Sequence, residues 1–203
     1  LYYIAQIEDI SARKRVERER QLMAEASALL SSSLDYGQTL TTLAQLVVRD
    51  FADWCILDVS EDEHLRRLKV ASADPARADV AARLERVPLD RTRPYLLSRV
   101  VDTRQPVVIE RVTAEHIEAA AQSPEHREVL LALGITSLMG APLVMRGRLL
   151  GVLAFASSTP SRVLGERDLR LATALADRAA AALENALLYR EAVEATRLRD
   201  QVL

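Results

Sequence analysis

Alternation and spacing of apolar positions divide this chain into elements. Residues 137–157 read SLMGAPLVMRGRLLGVLAFAS, two apolar, β-prone runs around Arg146, Gly147 and Arg148. That pattern predicts adjacent antiparallel strands joined by a tight turn at Gly147. Thr159, Pro160 and Ser161 end the strand pattern, and Gly165 as N-cap with Asp168 three residues on supplies a helix start. From Glu166 to Leu203 no Gly or Pro interrupts the helical pattern. Between residues 169 and 189 it is apolar nearly all round, with Leu171, Leu175, Leu183, Leu187 and Leu188 among many alanines, so more than one face must be covered. Beyond Arg190 it narrows. Leu188, Ala195 and Val202 are spaced seven apart with Leu198 between them, which predicts a seam of the two-stranded coiled-coil type, with an ordinary amphipathic helix as the alternative.

The amino end carries a second pattern of this kind. LYYIAQIEDI reads as one strand without a nearby partner strand, and Ser11 is an N-cap for a helix in which Ala12, Val16, Glu19, Met23, Ala26 and Leu30 alternate four and three apart. Residues 36–51 predict an amphipathic helix with Leu40, Leu43, Leu46, Val47 and Phe51 on its apolar side. Strands follow at 54–60 and 65–72 around a polar turn at 61–64. Residues 74–84 predict a short helix or loop, 95–103 a short helix, 106–110 a strand, and 113–133 a mostly helical insertion ending at Gly134.

Composition narrows the class. With 203 residues, 49% hydrophobic content and a net charge of -2, the chain is expected to form one ordinary globular domain with helical extensions. No apolar run approaches the ~20 residues that cross a bilayer, and no basic-then-apolar leader opens the sequence. A cytoplasmic location without direct membrane contact is the expectation, although a parent protein can carry membrane spans elsewhere. The absence of a basic stripe argues against nucleic-acid binding. A single cysteine, Cys55, excludes an internal disulfide.

Four stretches carry a family resemblance: WCILDVS (54–60), LLSRVVDTRQPVV (96–108), GITSLMGAPLVMRGRLLGVLAF (134–155) and ERDLRLATALADRAAAALENALLY (166–189). Together they resemble a GAF domain of the bacterial signalling type over residues 22–190, most specifically in the second half. YIAQIEDISARKRVE resembles the last strand and exit motif of a PAS domain, with Asp9, Ile10 and Ser11 at the joining motif. The resemblance implies an α/β (α+β) fold: a central antiparallel sheet of five or six strands, helices on its faces, and long signalling helices at both ends. It implies a PAS remnant at 1–11, a linker helix at 12–33, a GAF domain at 34–189 and an exit helix at 190–203. That order is similar to sensor histidine kinases, with a PAS domain before and a kinase core after. The seams then imply a parallel homodimer through Met23, Leu30, Leu188, Ala195, Leu198 and Val202.

The candidate chemistry is sparse. His64, His116 and His126 are the only histidines, and none has the setting of a kinase phosphoacceptor. Gly147 and Gly151 belong to a hairpin and a strand, where close backbone packing explains them better than phosphate binding. Thiol reduction of methionine sulfoxide needs a resolving second sulfur, and a bilin site needs a cysteine in the helical middle beside a histidine, so Cys55 is expected to be a buried structural residue. His116 and His126 are ten apart around Pro124, a poor metal pair whose default is solvated surface, and a lone His116 is weak support for haem. The dispersed Asn, Lys, Phe, Asp, Glu signature of cyclic-nucleotide-binding GAF domains is not traceable. No cofactor is therefore expected, and the chain itself is expected to be non-catalytic. An unassigned small-molecule pocket is expected between the sheet and residues 112–133, from Trp54, Arg111, His116, Ser137 and Met139. The expected function is a sensory and dimerisation module; the alternative is a redox, chromophore or haem sensor, or a small redox enzyme, on the same fold. A transcription regulator would need a helix-turn-helix that this sequence does not contain.

Overall fold

The computed structural model describes residues 11–33, 35–61, 64–88, 90 and 93–201. The expected amino-terminal strand, the side chain of Leu198 and all of Val202 lie outside the described residues. Five strands form one sheet: β1 (Trp54–Glu61), β2 (His64–Ser72), β3 (Val107–Ile109), β4 (Ser137–Met145) and β5 (Arg148–Ser157). Their order is β2-β1-β5-β4-β3, and every neighbouring pair is antiparallel. The sheet is covered on both sides. α1 (Ser11–Ser31), α2 (Tyr36–Asp50) and α7 (Glu166–Gln201) lie on one face. α3 (Ala78–Arg86), α4 (Ser98–Thr103), α5 (Ala114–Ala120) and α6 (Pro124–Leu133) lie on the other.

Period-2 alternation assigns the strand residues to these two layers. On β1, Cys55, Leu57 and Val59 join the core under α1, α2 and α7, while Trp54 and Ile56 join the core under α3–α6. On β5, Leu153 and Phe155 take the first face and Val152, Ala154 and Ala156 the second. Phe155 meets Phe51 edge to face, with ring centroids 5.2 Å apart. Because both faces are buried, the central strands read as nearly continuous apolar runs.

The hairpin has the expected form. Arg146 at φ 48° and Gly147 at φ 77° occupy the two central positions, the handedness that matches strand twist in a two-residue turn. Gly151 is needed for a different reason: a Cβ there would lie 2.3 Å from the Asp58 carbonyl oxygen on the paired strand.

Helix starts follow local capping chemistry. The Asp35 side chain accepts from Gln38 N at 3.1 Å to open α2. Asp168 accepts from Gly165 N at 3.0 Å, and Arg15 of α1 reaches its other oxygen at 2.5 Å, tying α1 to the start of α7. Pro124 does not interrupt one helix but opens α6 as its first residue, so the expected insertion is two helices, α5 and α6.

α7 is 36 residues long, about 54 Å at 1.5 Å per residue. Leu171, Leu175, Ala179, Leu183 and Ala186 are buried, whereas residues 191–197 are exposed except for half-buried Val193. Near the end of its buried part, Arg190 stacks over Tyr36 at 5.6 Å and donates to its hydroxyl at 3.2 Å. α1 buries Leu22, Ala26 and Leu30, a four-residue spacing that faces α2 and α7 of the same chain.

Gly151→Ala is expected to lower unfolding stability by about 3 kcal/mol, because the new methyl meets fixed backbone rather than a movable side chain. Gly37→Ala within α2, where a Cβ would meet only Asp35 Oδ1 at the ordinary contact distance of 3.5 Å, is expected to be neutral or to stabilise by about 0.4–1 kcal/mol. Denaturant titration of the two variants checks both signs; a stable Gly151→Ala would contradict the close strand approach.

Candidate functional site

The layers differ in polarity, and the difference locates the site. Among the described residues the ion-paired groups buried on the sheet, Asp58 and its partner Arg67, are on the α3–α6 side, joined there by His126. Asp58 faces Arg67 across β1 and β2 because the register shifts after Leu57, leaving Leu68 as an extra residue on β2. Such a bulge re-aims a side chain. Arg67 Nε donates to Asp58 Oδ1 at 2.9 Å, its Nη2 to Oδ2 at 3.4 Å, and its Nη1 to the Leu84 carbonyl of α3 at 3.1 Å. Their side chains are 9% and 5% exposed, Arg67 first, so this is a buried ion pair.

His126 sits at the third position of α6, and its backbone N donates to the Ser123 hydroxyl at 3.0 Å. Its Nδ1 accepts from Gln122 N at 3.3 Å, so the neutral ring carries its proton on Nε2. Burial, and then the positive charge of Arg67, hold its pKa below the usual histidine value. With Asp58, Arg67, Ile56, Tyr95, Leu97 and Leu130, among others, His126 lines a cavity of about 40 Å³ between the sheet and α3–α6. That is room for about one water molecule, at roughly 30 Å³ of liquid volume each.

The expected pocket residues are not brought together there. Trp54 and Met139 are fully buried on opposite faces of the sheet. Trp54 Nε1 donates to the Leu133 carbonyl at 3.1 Å, and Arg77 lies over the Trp54 ring at 5.2 Å while donating to the Ala132 carbonyl at 2.7 Å. The pair therefore caps the carboxyl end of α6 rather than forming an open wall. Ser137 is fully buried, with its hydroxyl accepting from Leu164 N at 2.9 Å. Arg111 is exposed. His116 is exposed and caps α5, its Nδ1 accepting from Thr113 N at 3.1 Å, and it borders a separate open groove beside β3. His126, read as solvated surface from sequence, is 3% exposed. Both histidines stand three residues after a hydroxyl N-cap, Thr113-x-x-His116 and Ser123-x-x-His126, a spacing visible in the sequence that assigns them to helix starts.

Cys55 is fully buried under α1, α2 and α7, and burial pushes its thiol pKa upward. Among the described residues no three His, Cys, Asp or Glu side chains converge as a metal site, and no helix is long and apolar enough to cross a membrane.

The GAF domain family matches residues 35–183. The chain belongs to that family. Solved structures similar to this GAF domain include that of a phosphoenolpyruvate-protein phosphotransferase from Coxiella burnetii, 19% identical with a TM-score of 0.64, covering 89% of this chain and 98% of that one. Another is free methionine-R-sulfoxide reductase from Neisseria meningitidis in complex with its substrate, 15% identical, TM-score 0.65, covering 93% of this chain and 98% of that one. Residues 122 to 287 of a methyl-accepting chemotaxis protein are 24% identical, TM-score 0.61, covering 81% and 98% respectively. These identities establish a shared fold alone. No curated protein matches the sequence.

Two outcomes test the site of this GAF domain. Asp58→Asn leaves Arg67 buried without its counter-charge and is expected to cost about 3–5 kcal/mol, whereas Asp58→Leu with Arg67→Met is expected to recover most of that stability in chemical unfolding. A double variant as unstable as Asp58→Asn would show that the pair is not the dominant contribution. For His126, the folded pKa lies below the unfolded value near 6.5, so as pH falls through that value the unfolded chain gains the proton first. Stability is expected to fall over this acid range in the wild type and to fall less in His126→Gln, measured as melting temperature against pH; parallel curves would refute it.

Proposed function

We propose that this GAF domain is the sensory and dimerisation module of a cytoplasmic signal-transduction protein, a PAS–GAF sensor histidine kinase, and is itself non-catalytic. A small molecule in the α3–α6 layer, or a signal from a preceding PAS domain, would bias the exit helix α7. The observation that carries this reading is the course of α7, an unbroken helix that is core beneath the sheet at Leu175 and Leu183 and exposed, save half-buried Val193, at residues 191–197. A rigid helix with one end in the core and the other outside transmits displacement to whatever follows it. The kinase assignment rests on the PAS-like opening and on the order of segments in the sequence. The redox alternative loses support at Cys55, since a fully buried thiol with a raised pKa is a poor nucleophile.

The proposed dimer surface uses the exposed part of the seam read in the sequence. Leu30 is 8% exposed in the intramolecular core and Met23 packs partly against it, so neither is a free knob. Ala195 and Leu188 are exposed, and Leu188, Tyr189 and Val16 are among the exposed large apolar side chains, at 42%, 53% and 47%. Light scattering is expected to give twice the chain mass. Leu188→Glu with Tyr189→Glu is expected to halve it without loss of melting temperature, because both side chains are solvent-facing in one chain. A wild-type monomer would remove dimerisation from this reading.

A further inference from the structure

The outward face of α7 repeats with a period of seven. Ala179, Ala180, Leu183 and Ala186 are buried in the core of their own chain. On the opposite side Arg178, Asn185 and Ala192 are spaced seven apart and exposed, and three residues after each come half-buried Ala181 and exposed Leu188 and Ala195. Those are the a and d positions of three successive heptads, and Asn185 is the one neutral polar residue among them. Asparagine forms helix less readily than the alanines and leucines around it, so nothing local favours it in the middle of α7. Beside it, between α7 and the end of α1, lies a groove of about 740 Å³ lined by Ser27, Ser31, Arg178, Ala181, Ala182 and Asn185, among others. The two serine hydroxyls donate to carbonyls of α1, and the Asn185 carboxamide makes no hydrogen bond among the described residues.

We propose, on the basis of the dimer reading above, that Asn185 meets Asn185 of a second copy across a two-fold axis and fixes a parallel, in-register pairing of the two α7 helices. Two copies of one residue on such an axis must complement each other, and a carboxamide does so because it carries both donors and an acceptor. The flanking charges select the orientation. Asp177, Glu184 and Glu191 at the g positions are all acidic, whereas Ala182, Tyr189 and Thr196 at the e positions are all uncharged. In a parallel pair g faces e, so no acid meets an acid; an antiparallel pair sets g against g and brings the acids together. Arg146 holds Glu184 at 3.5 Å, but Asp177 and Glu191 have no ion pair among the described residues. Arg178 also has none there, and a parallel pair seats it beside Asp177 of the second copy.

Sedimentation equilibrium of the purified chain at neutral pH tests this. Asn185→Asp places two carboxylates at the axis and is expected to weaken the dimer at least about tenfold. Asn185→Leu is expected to tighten it about tenfold, since a polar a position gives up stability for register. Both variants are expected to keep the wild-type circular dichroism spectrum, because Asn185 is exposed in the single chain. Orientation is read by mild oxidation: Ala192→Cys is expected to form a disulfide with Ala192→Cys of a second copy, Cys55 being fully buried. It is expected to form none with added Arg178→Cys chains, which only an antiparallel pair centred on Asn185 would bring to it; in the Asn185→Leu background that mixed disulfide is expected to appear. A dimer indifferent to Asn185→Asp, a dimer weakened by Asn185→Leu, or Ala192→Cys linking only to Arg178→Cys would each overturn the inference and leave the dimer reading standing. A wild-type monomer would overturn both.

Discussion

A five-stranded sheet buried on both faces is the constraint from which the rest of this structure follows. A strand in such a sheet has no solvent side on which to place polar residues, so every polar group it carries must be satisfied inside the protein. Asp53, at the head of β1, illustrates the consequence. Burial would raise its pKa, yet Ser158 N, the Ser157 hydroxyl and Thr159 N donate to its carboxylate and Arg162 adds positive charge, and together they hold it below the usual value. One carboxylate thus fixes where β5 ends and where the chain turns toward α7.

The two helical layers answer the same constraint in different ways. Under α1, α2 and α7 the sheet contributes Cys55, Leu57, Val59, Met139, Leu153 and Phe155, none of them charged, and the helices meet it with leucine and alanine. Close packing without buried charges makes this layer a good place for a rigid shaft. On the other face the bulge at Leu68 puts a guanidinium opposite a carboxylate, and shorter helices with more capping chemistry surround it. A buried ion pair is weak evidence for stability, since apolar residues of similar volume often serve as well. Here the pair stands beside a cavity that His126 also lines.

How far the sequence announced this depends on the range over which each feature is encoded. The hairpin, α7 and the family were legible because turn handedness, uninterrupted helical spacing and apolar runs are local signals. The candidate site was not. Asp58 and Arg67 meet only because β2 carries one extra residue, and nothing in LRRLKV marks where the pairing slips. Nor does the sequence mark which layer each expected pocket residue joins: Trp54 and Met139 are each plausible apolar walls, but their strands present them to opposite layers. In α1 the face with Leu22, Ala26 and Leu30 packs against helices of its own chain, which the spacing alone does not reveal. Heptad-like spacing specifies an apolar stripe without naming the surface that covers it.

Strand geometry also joins the two layers. Leu138 lines the cavity, and the next residue, Met139, belongs to the core beneath α7; Ile56 and Leu57 are divided between the layers in the same way on β1. A side chain displaced on one face shifts backbone that carries its neighbour on the other, and dense interiors transmit such strain rather than absorbing it. Gly151 removes slack at the same level of the sheet, where β1 and β5 approach too closely for any Cβ and where Asp58 itself resides. Coupling between the cavity and the exit helix therefore requires no hinge within the domain. It requires only that the sheet be thin, shared and tightly registered, and those are the properties that two-sided burial imposes.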